Sequence, residues 1–212
     1  MAVADDLRLA AAHLRGALAP AVAGRDWSQP ARPTDWTCRD VLDHLCNSLC
    51  GYAASLANRR TERRLHHPRD GDPGASPGEL LELVVEFAGL LAAVAEGASP
   101  GERALHPAGM ADRDGFVAMG CDELLVHGSD IAGSFGLAFE PPPGLAGRVV
   151  ARLFPWAPAP GDRWGVLMWA NGRAALDGEG QLAADWWWHC APLAEWDGRV
   201  RRRTAAEPPG WR

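Results

Sequence analysis

Apolar residues recur three and four positions apart in four long segments of the chain, and each of these segments predicts an amphipathic helix. The segments run from Asp5 to about Val22, from Cys38 to about Arg59, from Pro77 to about Glu96, and from Asp112 or Asp114 to Gly133. Because the four helices have similar lengths and short to medium connections, the pattern predicts a mainly α protein built on a four-helix bundle.

Two of the predicted helices begin with a capping box, in which a hydroxyl residue precedes a carboxylate residue by three positions. Thr37 stands before Asp40 at the start of the second helix. Ser76 stands before Glu79 at the start of the third, with Pro77 at the first helical position. These signals fix where both helices begin.

The chain after residue 140 has a different pattern. A proline run at residues 141–143 introduces a short helix, and Asp162 can cap another that ends near Gly172. Two later stretches, Arg173–Leu176 and Trp186–His189, could be short strands or irregular walls of a pocket. A basic cluster between Arg59 and His67 lies in a predicted loop, and we interpret it as solvated and not as a site for an acidic substrate.

Six of the ten tryptophans lie between Trp164 and Trp196, in this last part of the chain. Tryptophan side chains need a partner surface that covers them, and the segment is short for an independent domain. We therefore predict that residues 1–140 form the bundle and that residues 141–212 form a short tryptophan-rich extension packed on it.

Composition and charge exclude several classes of protein. Hydrophobic residues make up 47% and charged residues 23% of the chain, values typical of a soluble globular protein, and no apolar run approaches the roughly 20 residues of a membrane span. The net charge of −6 argues against nucleic-acid binding. A secretory signal carries basic residues near its N-terminus, whereas this chain has Asp5 and Asp6 there. We therefore expect a cytoplasmic protein.

The chain contains no lysine, so all 21 of its Lys/Arg residues are arginine, which excludes Schiff-base chemistry and a Walker-type phosphate loop. Plentiful Ala, Gly, Pro and Arg, with Ile131 as the only isoleucine, suggest a GC-rich bacterial genome. Five cysteines form an odd set without a C-x-x-C pair, which favours reduced and mostly buried thiols over a disulfide framework. We expect a monomer or a homodimer.

Glu123 and His127 are the residues of greatest chemical interest, because a spacing of four advances about 6 Å along a helix and returns to within roughly 40° of the same direction. Such pairs often make only a surface contact. Here both residues lie in an apolar stretch, where an unpaired carboxylate would be costly to bury. His44 lies in a similar stretch of the second helix, and the three together predict a metal site inside the bundle.

Two histidines and one glutamate leave coordination positions open, which is typical of a catalytic metal. Zinc is the first expectation, although nickel, iron, manganese and cobalt also accept these ligands. Asp40 precedes His44 by one turn and Asp130 follows His127 by nearly one turn, so each could orient an imidazole through its second nitrogen. The alternative roles of the two aspartates are helix capping and surface charge.

Two segments of the sequence resemble one known family, the DinB/YfiT-like metalloenzymes, and within it the branch of mycothiol-dependent maleylpyruvate isomerase and mycothiol S-transferases. The first segment, residues 33–45, reads PTDWTCRDVLDHL, and the second, residues 122–132, reads DELLVHGSDIA. The resemblance implies a DinB-like four-helix bundle whose metal is held by His44, Glu123 and His127. Residues 164–173, WGVLMWANGR, are similar to the end region of that branch, and Arg173 is thereby implied to reach the active site and anchor the substrate.

The resemblance implies mycothiol, a low-molecular-weight thiol, as the cosubstrate of a divalent-metal enzyme. The metal would lower the pKa of the thiol and hold a thiolate against a small electrophile. A stable thioether product would make the protein a thiol transferase. Loss of the thiol after rotation of the adduct would make it a maleylpyruvate-type cis–trans isomerase. A third hypothesis is a metal-binding stress protein without catalysis.

Overall fold

The computed structural model describes residues 3–62, 71–159, 161–182 and 188–200. In these ranges the protein is mainly helical, with six α-helices and one two-stranded hairpin. The elements are α1 (Ala4–Val22), α2 (Cys38–Asn58), α3 (Pro77–Gly97), β1 (Arg103–His106), β2 (Gly109–Asp112), α4 (Arg113–Ser134), α5 (Leu145–Leu153) and α6 (Arg163–Ala170).

Helices α1 to α4 form the predicted bundle, in which α1 and α2 each pack against both α3 and α4. Leucine side chains from all four helices fill the space between them, and most are fully excluded from solvent. The buried leucines of this core include Leu7, Leu14, Leu42, Leu49, Leu80, Leu91, Leu124 and Leu125. The predicted fold class is therefore confirmed.

The predicted capping residues begin their helices as expected. At α2, Thr37 Oγ1 accepts a hydrogen bond from the Asp40 amide, and the Asp40 carboxylate accepts one from the Thr37 amide, both at 3.0 Å. At α3, Ser76 and Glu79 form the same reciprocal pair. Asp112, not Asp114, caps α4. Each cap satisfies amide groups that the first turn of a helix leaves without a carbonyl partner.

The hairpin is the element that the sequence pattern did not predict. Its two strands pair antiparallel from Arg103 with Asp112 to His106 with Gly109. Each strand has only four residues, which is too short for a clear alternation of polar and apolar positions. The second strand leads directly into α4, so the hairpin fixes where that helix begins.

Helix α4 lies at the centre of the molecule. Sixteen of its 22 residues are buried, compared with seven of 19 in α1, because α5 covers the side of α4 that faces away from the bundle. A Cβ atom at Gly115 would lie 2.1 Å from the Cys190 carbonyl oxygen, so the extension's backbone lies directly on the first turn of α4. Only glycine fits such an approach.

In the extension, α5 packs on α4 and α6 packs on α5. Asp162 caps α6 through the amides of Trp164 and Gly165, as predicted. The stretch from Arg173 to Leu176 is irregular, with one isolated bridge from Leu176 to Gly180. Trp186 and Trp187 lie outside the described residues, as does the basic cluster beyond residue 62. The division of the chain at residue 140 stays a prediction.

No helix in the described parts of the chain is long and apolar enough to cross a membrane. All five cysteines fall within the described residues and form no disulfide, and four of them are buried. Burial raises the pKa of the Cys46 thiol to about 12, and its Sγ atom contacts the Leu80 carbonyl at 3.7 Å. The prediction that most of the thiols are buried is confirmed.

Candidate metal centre

The three predicted ligands converge between α2 and α4. The Glu123 Oε2 atom lies 3.0 Å from His44 Nε2 and 3.3 Å from His127 Nε2. One ligand atom from each residue lies within 4.8 Å of the other two. All three side chains are nearly excluded from solvent, with exposed fractions of 10%, 6% and 13% for His44, Glu123 and His127.

These separations fit a single metal ion. Ligand atoms about 2.1 Å from a tetrahedral metal lie roughly 3.4 Å from one another, close to both histidine–glutamate distances. Imidazole nitrogen and carboxylate oxygen are ligands that zinc and other first-row divalent cations accept. With three protein ligands on two helices, such an ion would keep at least one position open.

The second carboxylate oxygen of Glu123, Oε1, also has a hydrogen-bond partner. The Tyr52 hydroxyl donates a hydrogen bond of 2.8 Å to Glu123 Oε1, which leaves Oε2 directed at the two histidines. Burial alone would raise the pKa of Glu123, but the nearby charge of His44 and the hydrogen bonds from both histidines hold it well below its usual range. The carboxylate therefore stays ionised and is available as a ligand.

Asp130 lies behind His127, as the sequence predicted. Its Oδ2 atom is 3.2 Å from His127 Nδ1, so the opposite ring nitrogen, Nε2, points toward Glu123. Burial would lower the pKa of His127, but Asp130 and Glu123 outweigh this effect and raise it to about 9. Without a cation, a proton on this ring balances the nearby carboxylates.

His44 is surrounded differently. The Trp36 ring packs against it with centroids 4.8 Å apart, and the Ser48 hydroxyl lies 3.4 Å from its Nε2 atom. Trp36 therefore covers one side of the two imidazoles. Asp40 uses its carboxylate to cap α2, which is the alternative role that the sequence allowed.

Arg173, the predicted substrate anchor, reaches the edge of the site but is directed at Asp130. Its Nε and NH2 groups donate to the two Asp130 oxygens at 3.2 and 2.8 Å, and its NH1 group donates to the Asn171 carbonyl at 3.0 Å. The side chain is 20% exposed. Its role as a substrate anchor stays a prediction.

Sequence reasoning missed Asp122, a buried carboxylate that directly precedes Glu123 on α4. Its two oxygens accept hydrogen bonds from Asn171 Nδ2 at 2.9 Å and Trp188 Nε1 at 3.0 Å. Burial raises its pKa to about 7. The signal was its position in the same apolar run as Glu123. Tyr52 was missed too. It lies eight residues after His44, and Ser48 lies four residues after it, so all three are on one face of α2.

Trp188, His189 and Cys190 line a cavity of about 190 Å³ next to the hairpin turn. Trp188 and His189, the described part of the stretch Trp186–His189, therefore contribute to a pocket wall, which is one of the two forms suggested for it. None of the three candidate ligands lines this cavity, so it is separate from the metal centre.

A family model described as the mycothiol maleylpyruvate isomerase N-terminal domain matches residues 7–132, which is more than half of the chain. The matched region contains the four bundle helices except for short terminal segments, and all three candidate ligands. Arg173, Asn171 and Trp188 lie beyond it. Neither a curated protein nor a solved structure matches the chain significantly.

Proposed function

The chain belongs to the family of the mycothiol maleylpyruvate isomerase N-terminal domain, and from this premise we propose that it is a divalent-metal-dependent enzyme in which mycothiol attacks a small electrophile. The convergence of His44, Glu123 and His127 within 4.8 Å is the observation that carries the proposal. The metal is most simply zinc, since the ligand set and spacing suit it, and nickel, iron, manganese or cobalt would also be accepted.

A divalent cation at this site would lower the pKa of a thiol bound at an open coordination position. The chain's own residues would prepare the site for that cation. Glu123 supplies a permanent negative charge, Tyr52 fixes its orientation, and Trp36 limits access of water to the imidazoles. Arg173 at the edge of the site is proposed as the anchor for an anionic group of the substrate.

In the transferase reaction, the sulfur atom forms a bond to the electrophilic carbon while either a π bond of the electrophile or its bond to a leaving group breaks. The S–H proton then ends on the adduct in the first case and with the leaving group in the second. The product is a thioether, and one thiol is consumed for each electrophile. Conjugation of an electrophile in this way needs no oxidant or reductant. The thiol and the electrophile are therefore the only co-reactants that the proposal requires.

The second candidate is cis–trans isomerisation of a maleylpyruvate-type substrate, which the description of the matched family favours. Here the thiol adds to a carbon–carbon double bond, the resulting single bond rotates, and the thiol leaves unchanged. The same metal centre serves both reactions. The fate of the thiol distinguishes them.

Elemental analysis of the purified protein tests the metal site. We expect about one divalent metal ion per chain in the wild type and background levels in the His44→Ala variant, because two remaining ligands hold a cation poorly. His13→Ala is the matched control, since His13 is a half-buried histidine of α1 that packs on Phe139. Full metal occupancy in His44→Ala would contradict the three-ligand site.

Activity is then measured with mycothiol and a generic electrophile, and with a cis-configured dicarbonyl acid. A stable conjugate identifies the transferase, whereas turnover with catalytic, unconsumed thiol identifies the isomerase. Glu123→Gln should abolish either activity. If this variant keeps its metal and no thiol-dependent reaction of the protein changes, the enzyme hypothesis is wrong and the non-catalytic hypothesis is favoured.

A further inference from the structure

Two arginines of the C-terminal extension make the same kind of contact with a buried carboxylate of the bundle. Arg148 on α5 donates from Nε and NH2 to the two oxygens of Asp6 on α1, at 3.0 and 2.5 Å. Arg173 after α6 donates from the same two groups to the two oxygens of Asp130 on α4. The Asp6 and Asp130 side chains are 5% and 2% exposed, so both pairs are shielded on the carboxylate side.

The two contacts differ in what the carboxylate touches next. Asp6 accepts a hydrogen bond from the Val3 amide at 3.0 Å and so closes the first turn of α1. Asp130 instead lies 3.2 Å from Nδ1 of His127, a candidate metal ligand. The same Asp130 oxygen, Oδ2, receives Arg173 NH2 at 2.8 Å.

We propose that Arg173 is a positioning residue that acts through Asp130 to hold the His127 ring in the orientation for metal binding, and thereby sets the affinity of the site for a divalent cation. This inference rests on the metal site of the proposed function. It assigns part of that site to a residue beyond the region that the family model matches.

The geometry of the two-point contact explains why an arginine is suited to this role. A guanidinium that binds both carboxylate oxygens fixes the plane of the carboxylate as well as its position. The fixed plane keeps Oδ2 beside His127 Nδ1, and this contact directs Nε2 toward Glu123. Without Arg173, Asp130 can rotate about its side-chain bonds, and the imidazole loses its fixed partner.

The donors of Arg173 support a positioning role beside the proposed role as substrate anchor, because three of its five N–H groups are directed at Asp130 and Asn171. Its Nε and NH2 groups each direct one N–H at Asp130, so the fork on that side of the guanidinium is occupied by the carboxylate. The NH1 group donates to the Asn171 carbonyl. Partners behind a metal-binding histidine typically change metal affinity about 10- to 100-fold when they are removed.

The test compares the cobalt affinity of the full-length wild type, Arg173→Met and Arg148→Met, measured by competition with a chromophoric chelator. Methionine removes the charge and the donors but retains much of the side-chain volume. We expect Arg173→Met to bind Co²⁺ about 10- to 100-fold more weakly, with an altered visible absorption spectrum of the bound ion. Arg148→Met, which breaks the matched pair away from the site, should bind Co²⁺ like the wild type.

Two results would overturn the inference: unchanged cobalt affinity in Arg173→Met, or equal weakening in both variants, which would indicate a general loosening of the extension. In either case tight binding by the wild type would leave the proposed function standing. A wild type that binds no Co²⁺, Zn²⁺ or Ni²⁺ would overturn the proposed function together with this inference.

A second variant guards against misfolding of Arg173→Met, with circular dichroism used to verify that each variant is folded. Asp130→Asn keeps the size of the side chain and should weaken cobalt binding similarly. Because both residues act on one ring, the double variant should be no weaker than the weaker single variant. Additive losses would show that Arg173 acts independently of Asp130 and would overturn the proposed route.

Discussion

The four-helix bundle and the C-terminal extension contribute different kinds of side chain to the candidate metal centre. The bundle supplies all three candidate ligands, His44, Glu123 and His127. The extension supplies partners for two carboxylates that flank them on α4: Asn171 and Trp188 bind Asp122, and Arg173 binds Asp130. The candidate ligands and the residues that hold the neighbouring carboxylates thus come from separate parts of the chain.

This difference explains why α4 is buried on nearly all sides while α1 keeps one exposed face. A helix that presents ligands to one neighbour and carboxylates to another needs both neighbours in place. We therefore expect the extension to be an integral part of the folded site. Substitutions at its contacts with the bundle, and inside the bundle, test this expectation.

The largest effect is expected from Arg152→Met, which removes the contact between the extension and the start of α4. Arg152 is 2% exposed, pairs with Asp112, and donates to the carbonyl oxygens of His189 and Cys190 at 2.9 and 3.0 Å. Its loss leaves the Asp112 charge buried without its partner, and we expect the free energy of unfolding to fall by about 3–5 kcal/mol. Urea denaturation measures the change.

The control for this variant is Arg103→Met. Arg103 also joins the bundle region to the extension, through Glu195 at 2.7 Å, but this pair is 28% and 53% exposed. An exposed pair contributes less than about 1 kcal/mol. Equal losses in the two variants would contradict the claim that the buried contact at Asp112 holds the extension in place.

A smaller effect is expected where α4 faces the bundle. A Cβ atom at Gly120 would lie 2.7 Å from Leu7 Cδ2 and 3.0 Å from Leu91 Cδ2. We expect Gly120→Ala to destabilise the protein by about 1–3 kcal/mol through overpacking, despite the better helix propensity of alanine. The melting temperature, measured by circular dichroism, should fall.

Gly133 provides the matched comparison near the end of the same helix, because a Cβ atom there meets nothing within 4 Å. Gly133→Ala should stabilise the protein by about 0.5–1 kcal/mol, since alanine restricts the unfolded chain more than glycine does. A change of the same sign at both positions would mean that close packing around α4 does not decide the outcome.

The smallest effect concerns pH and the pair between Asp6 and Arg148. Burial alone would raise the pKa of Asp6, but hydrogen bonds from Arg148 and the Val3 amide and the charge of Arg148 lower it below 3.8. A lowered pKa in the folded state means that the carboxylate stabilises the protein above pH 3.8 and that this contribution is lost as the pH falls through the folded value.

Asp6→Asn should therefore be less stable than the wild type by about 1 kcal/mol at pH 6. The difference should shrink as the pH falls below about 4, when the wild-type carboxylate becomes protonated. Denaturation curves for both proteins at pH 6, 4 and 3 measure it. A difference that stays constant over this range would show that the ionised carboxylate is not the stabilising group.

The helices and the convergence of the three candidate ligands were predictable because their signals are local. Capping residues such as Thr37 and Ser76 act within their own first turn, and the spacing of Glu123 and His127 fixes their common direction on one helix. His44 was predictable from its apolar neighbours on α2. Nothing further along the chain was needed for these predictions.

The support of the site was harder to predict because it depends on contacts between residues far apart in sequence. Asp122 and Asp130 look alike in the sequence, and only the packing of α5 and α6 decides that one binds Asn171 and Trp188 while the other binds Arg173. The hairpin was missed because four-residue strands carry little periodic signal. Contacts between segments that are far apart in sequence form only when the whole chain has folded, so local sequence patterns do not reveal them.

The absence of a Cβ atom at Gly115 sets how closely the extension can approach α4. Any other residue at this position would place a carbon atom against the Cys190 carbonyl of the extension. With alanine or a larger residue here, this chain would have to route its C-terminal segment away from the first turn of α4. The amino acid at this one position therefore decides whether the extension can lie on the helix that carries Glu123 and His127.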